Sequence, residues 1–246
     1  MKHNRVTGLI AVLTFCFSTA SFATPFSVND AFLDNESPNG SEANPFGDYT
    51  FGYSLDPGTT GSFTSAGLVH TDAFNGTSNA EGYYIQNNVI VPALLINTNV
   101  ASITFGFGVT LQPNQILMHP GGLGSNGLIG PFASAVIRYT VPTASTYQIS
   151  AIFASLHPGE TDVGVRINGA SVYSALDAGT FAGTSFSLNA LDMIDFVVGP
   201  GTDSSIGSDS TGLFANIVRT AVPVPGSLAL LGLGLAGLGF ARRKKA

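Results

Sequence analysis

The sequence predicts an all-β fold, a single β-sandwich or jelly roll, and three observations carry that expectation. Short runs dense in β-branched and aromatic residues recur every ~8–15 residues, separated by Gly, Pro, Asn and Asp. Several alternate with period two. Tyr147, Ile149, Ala151 and Phe153 share one face of 145–155, and Val163, Val165 and Ile167 share one face of 162–167 with Arg166 opposite. Between the termini no stretch carries a convincing helical stripe.

Taken in order, strands are expected over 49–55, 61–69, 82–87 and 101–111 in the first half. In the second half they are expected over 133–141, 146–155, 162–167, 184–188, 194–198 and 213–218. Asn168-Gly169 follows one of them and tolerates the positive φ of a tight hairpin turn. Residues 89–95 are continuously apolar except for Pro92, which argues for an edge strand or a loop. The Gly/Asn/Ser/Pro-rich stretch 34–48 reads as a long loop before the core. No linker or repeat divides the middle of the chain, so one domain is expected over 49–220, preceded by a loop region over 24–48.

The two ends are addresses. Lys2 and Arg5 precede an apolar stretch over 6–17, and Ser21-Phe22-Ala23 supplies small residues for cleavage after Ala23. That is a secretory signal peptide over 1–23. Cys16 lies inside it and is the only cysteine of the 246 residues, so the mature chain from Thr24 has no disulfide. At the other end, Pro223 and Pro225 precede an uncharged apolar run over 226–241, and Arg242, Arg243, Lys244 and Lys245 stop it. With 221–225 included, a helix there would be ~30 Å long, enough to cross a bilayer. Four cations beyond it mark a transmembrane anchoring tail over 221–246.

The middle is acidic. Only Arg138, Arg166 and Arg219 stand there against all fifteen carboxylates of the chain, a net charge of about −12. Nucleic acid, which needs clustered Lys and Arg, is excluded as a partner. Such a balance suits a soluble extracellular protein that binds divalent cations.

The tail, Val222-Pro223-Val224-Pro225-Gly226 followed by a Gly/Leu-rich run and the basic cluster, resembles the PEP-CTERM sorting tail of exported Gram-negative proteins. Val224 stands where that family usually has Glu. The resemblance implies recognition by an exosortase-type membrane protease after export, transient anchoring in the inner membrane, removal near Pro223, and delivery to the outer surface or extracellular matrix. The stretches Val136-Ile-Arg-Tyr-Thr-Val-Pro, Ser145-Thr-Tyr-Gln-Ile-Ser, Val163-Gly-Val-Arg-Ile-Asn-Gly and Ile194-Asp-Phe-Val-Val-Gly resemble the carbohydrate-binding-module-like jelly rolls of bacterial surface proteins. That resemblance implies a sandwich with a glycan partner, and a structural calcium ion joining the N-terminal loop to the last strands.

Candidate site residues are few. His119-Pro120-Gly121 and His157-Pro158-Gly159 repeat one tripeptide, and each can present an imidazole at a loop tip for a glycan or a metal, or pack against its own turn. Tyr83-Tyr84 sets one ring on each face of a strand and offers one to a sugar. Glu160 and Asp162 follow His157 closely enough to share a hard cation. Asp203 and Asp209, with Asp34 and Glu36 (or Asp48) from the N-terminal loop, are the expected calcium ligands, since calcium takes six to eight oxygens. Asp192 and Asp195 fall on opposite sides of a strand and form no dyad. No hydrolase, zinc or phosphate-loop motif occurs. The expected function is a non-enzymatic surface or matrix protein that binds exopolysaccharide; the alternative is a secreted polysaccharide hydrolase with a carboxylate pair.

Overall fold

Alternation over 145–155 builds an eleven-residue strand whose Tyr147, Ile149, Ala151 and Phe153 are all buried, as the period-two pattern requires. The computed structural model describes residues 25–34, 44–66, 68–70, 80–86, 89–105, 108–123, 131–203 and 205–220. The signal segment, the sorting tail and their expected helices lie outside these residues.

The elements in chain order are β1 (Pro25–Ser27), α1 (Val28–Asp34), β2 (Tyr49–Ser54), β3 (Phe63–Ser65), β4 (Leu68–His70) and β5 (Ala80–Gln86). There follow β6 (Val89–Asn97), β7 (Ile103–Thr104), β8 (Thr110–Leu111), β9 (Ile116–His119), β10 (Gly121–Gly122) and β11 (Phe132–Thr140). The chain closes with β12 (Ser145–Ser155), β13 (Asp162–Ile167), β14 (Ala170–Leu176), β15 (Gly179–Leu188), β16 (Met193–Gly199) and β17 (Thr211–Thr220). One sheet runs β15-β12-β17-β9-β6-β5-β4, with β1 also on β17; the other runs β14-β13-β16-β11-β2-β3, with β10 on β11. Every pairing in both is antiparallel. Their inner faces share one core, including Phe51, Ile137, Tyr139, Tyr147, Phe153, Phe196 and Ile217. This is the expected β-sandwich.

Strand β17 is central to its sheet. It pairs with β12 over its whole length, while β9 and β1 share its other edge, at 211–213 and 216–218. Between them the side chain of Asn29 takes the place of a strand. Its amide donates to the carbonyls of Leu213 and Asn114, and its oxygen accepts from the amide of Ala215. Asn44 does the same beside β2, exchanging both bonds with Phe51.

Four expectations change. The loop region expected over 24–48 holds β1 and α1 in its first part, drawn into regular structure by the pairing of Pro25–Ser27 with β17. Residues 89–97 form an interior strand despite Pro92. The ladder to β5 is irregular between Tyr84 and Gln86, and pairing with β9 begins only at Ala93, so Pro92 falls where no amide donor is used. The run 101–111 folds back as the hairpin β7–β8, whose Phe105, Val109 and Leu111 cover Ala93, Leu95 and Leu117 on the outer face of the sheet. Residues 61–69 divide into β3 and β4, which belong to different sheets. The Asn168-Gly169 turn stands as expected, with φ of 51° and 82°.

On the outer face of the second sheet Arg138 and Asp195 form a bidentate pair, both bonds 2.8 Å. The guanidinium also donates to Thr60 and lies 4.2 Å from the Phe63 ring centre. Asp195 is 1 % exposed, so its charge depends on this partner. Arg138→Met should therefore destabilise the protein by about 3–5 kcal/mol in urea denaturation, and Arg138→Met with Asp195→Leu should recover most of that loss.

Candidate functional site

Strand register sorts the loops into two poles. Ser155 pairs with Thr211, Phe153 with Gly179, and Asp162 with both Leu176 and Gly199. The connections β12–β13, β14–β15 and β16–β17 therefore meet at one pole. His119 joins them, because Met118 pairs with Thr211. The turns β11–β12, β13–β14 and β15–β16 lie at the opposite pole, where Thr146 pairs with Thr220.

The first pole gathers Glu160, Asp162, Asp177, Asp203 and Asp209, and four of these are tied into the loops. Glu160 accepts from the backbone amide and the hydroxyl of Thr202, which lowers its carboxyl below the usual range. Asp162 accepts from the amide of Gly201. Asp177, in the left-handed region at φ 62°, exchanges backbone and side-chain bonds with Thr161. Asp203 accepts from the amide of Ser205.

Asp209 differs. It is 0 % exposed, and neither carboxylate oxygen has a hydrogen-bond partner among the described residues. Burial first, then the charges of Asp203, Asp177 and Glu160, push its carboxyl up to about 7. A Cβ on Gly159 would collide with Asp209 Oδ1 and with the carbonyl oxygens of Ser208 and Gly207, so three oxygens converge above that glycine. An orphaned carboxylate with two carbonyl oxygens beside it, ringed by further carboxylates, fits a hard cation such as calcium. Among the described residues no three His, Cys, Asp or Glu side chains stand close enough to share one metal ion. The fit thus rests on Asp209 and main-chain oxygens.

The two His-Pro-Gly turns come together here. His119 Nδ1 donates to the Pro120 carbonyl at 2.5 Å, which leaves Nε2 with a lone pair in the neutral ring. Burial pulls His119 down to about 4, with the Pro120 bond opposing and the neighbouring His157 reinforcing. His119 is therefore neutral at pH 7. Tyr83 and Tyr84 sit on β5, three strands from β17; Tyr84 aligns with Ala93, and Ala93 with His119. Asp34 ends α1. Glu36, Ala23, Pro223, Val224, Pro225, Arg242, Arg243, Lys244 and Lys245 lie outside the described residues. The sequence reading missed Asp177, whose signal is the Asp-Ala-Gly turn between two strands, and the convergence on Gly159, which no local pattern marks.

Residues 221–245 match the PEP-CTERM protein-sorting motif. The chain thus carries the sorting tail that its Pro-Val-Pro, Gly/Leu and Arg/Lys pattern suggests. No curated protein matches the sequence. Among solved structures, the chain is similar to a family 35 carbohydrate binding module from Clostridium thermocellum (16 % identity, 44 % of this chain and 93 % of that one, TM-score 0.25). It is likewise similar to the mannan binding module from Man5C (15 % identity, 50 % and 95 %, TM-score 0.28). A third is the CBM36-1 domain of a xylanase from the hindgut metagenome of Trinervitermes trinervoides (14 % identity, 45 % and 99 %, TM-score 0.25). At these scores the likeness decides neither the fold nor a ligand.

The Asp209 carboxyl makes stability depend on pH. Its folded value lies above the ordinary ~4, so its contribution is fully present below pH ~4 and is lost as pH rises toward 7. In chelator, Asp209→Asn should melt above the parent by several degrees at pH 8, at about 2–4 °C per kcal/mol for a domain of this size, with the gap closing by pH 4.

Proposed function

We propose that this chain is an exported, non-catalytic surface or matrix protein that binds extracellular polysaccharide at its acidic pole, with calcium held at Asp209. The observation that carries the reading is the solvent-excluded, unpartnered Asp209 carboxylate where three loops meet. Asp209 with the Ser208 and Gly207 carbonyls would hold the cation, with Asp203 and Glu160 contributing negative potential. Bound there, calcium supplies the positive charge that lets Asp209 stay ionised and the loops stay braced. His119 and His157 then offer imidazole faces to sugar hydroxyls on the same pole, and Tyr83 or Tyr84 is the aromatic candidate farther along the sheet.

Sorting completes the function. In this reading Lys2, Arg5 and the apolar segment direct export, and cleavage follows Ala23. The apolar run over 226–241 then spans the inner membrane until an exosortase-type protease acts near Pro223-Val224-Pro225. The cluster Arg242–Lys245 holds the tail's cytoplasmic end. The product reaches the outer surface or matrix of a Gram-negative cell.

The hydrolase reading has one observation in its favour: a carboxyl raised to about 7 and a lowered one, Glu160, share the pole. Asp209, however, has no exposed surface from which to protonate a glycosidic oxygen. A glycan array probed with the mature chain, with and without calcium, tests both readings. Polysaccharide binding that calcium strengthens and that Asp209→Asn or His157→Ala weakens about tenfold or more, without release of reducing sugar, is expected. Sugar release abolished by Glu160→Gln would establish the hydrolase instead.

A further inference from the structure

We propose that, while the tail anchors the chain, the pole opposite Asp209 rests on the phospholipid surface with Leu191 in the headgroup layer, so that the acidic pole is held outward. This rests on the reading of 226–241 as a membrane span.

Connectivity supplies the first argument. β17 starts at the acidic pole with Thr211 and ends at Thr220, which is tied to β12. Its hydroxyl donates to Thr146 O at 2.9 Å, and Ser145 Oγ donates to its carbonyl at 3.1 Å. Ordered chain therefore runs to within five residues of Gly226, and two of those five are prolines. Fully extended, they reach at most ~18 Å, whereas the ten residues of β17 alone span ~33 Å.

Leu191 supplies the second. It is 77 % exposed and lies in the left-handed region at φ 73°, which bulky residues avoid. Its turn is braced: Leu191 N donates to Val141 O, Val141 N to Asp192 O, and Asn189 N to the Asp192 carboxylate. Backbone held this firmly displays an apolar side chain to solvent at a cost that nothing within the described fold offsets. Around it Pro142, Thr143, Ala144 and Ala190 are exposed and uncharged.

Charge supplies the third. This pole exposes the cation Arg219; its two carboxylates among the described residues are Asp48, beside Tyr139, and Asp192, whose two oxygens accept from Asn168 and from the Asn189 amide. Glu160, Asp162, Asp177, Asp203 and Asp209 all sit at the far end. Anionic headgroups would repel that end more strongly than this one.

The mature chain lacks cysteine, so single labels are clean. Leu191→Cys and, at the acidic pole, Leu176→Cys (53 % exposed) would each carry an environment-sensitive fluorophore on the chain from Thr24 through its tail, in vesicles of phosphatidylcholine with anionic phosphatidylglycerol. The expected result is a label at 191 quenched by nitroxide lipid and roughly fivefold less accessible to iodide than the label at 176. Equal iodide access at both positions, in chain that floats with the vesicles, would overturn the inference and leave the anchor reading standing. Failure to float would overturn both. Protection of 191 that nitroxide lipid does not see, and that grows with protein density, would assign the pole to a second protein copy and overturn the lipid contact.

Discussion

The sandwich depends on the pairing of its last described strand. β17 lies inside its sheet, so the sheet is complete only when residues 211–220 are in place. β12 covers one edge, while β9 and β1 divide the other. The interruption between β9 and β1 would leave the Leu213 carbonyl and the Ala215 amide without partners in a buried layer, a cost of about 1–3 kcal/mol each. Asn29 removes it with one side-chain amide, because that group carries the donor and acceptor pair of a peptide. The N-terminal strand, the first helix and the final strand thereby become one unit.

Two buried carboxylates show how context sets the role of a residue type. Asp195 is met by a bidentate guanidinium, and its charge is neutralised inside the fold. Asp209 is as deeply buried and is met by carbonyl oxygens and other acids, which leaves an unpaired negative potential where three loops join. The first arrangement fixes a sheet to the loop above it. The second costs stability unless a proton or a cation is bound, which is why the acidic pole is the natural place to look for binding.

Much of the sandwich was legible along the chain. Period-two alternation marked β12 and β13 correctly, because a strand with one face on a core must repeat every second residue. Asn168-Gly169 marked its turn because few other pairs tolerate its φ angles. Pro92 misled, since the rule against proline in a sheet assumes a regular ladder and β6 has a break at that place. β14 and the β7–β8 hairpin were missed: the first is an edge strand with no buried residue, its Val172, Tyr173 and Leu176 set among Ala and Ser, and the second covers the outside of a sheet instead of entering the core.

By itself the sequence determined the sheet class, the acidic balance, the lack of a cysteine pair for an internal disulfide, and the C-terminal sorting motif. Each of these is a property of composition or of local order along the chain. The meeting of His119 with His157, and of Glu160, Asp177, Asp203 and Asp209 at one end, was decided only by the tertiary structure. These residues lie on different connections, and antiparallel register alone determines which loops share a pole. The solvent-excluded state of Asp209 has the same origin, because burial and hydrogen-bond satisfaction belong to the packed neighbourhood and not to the aspartate.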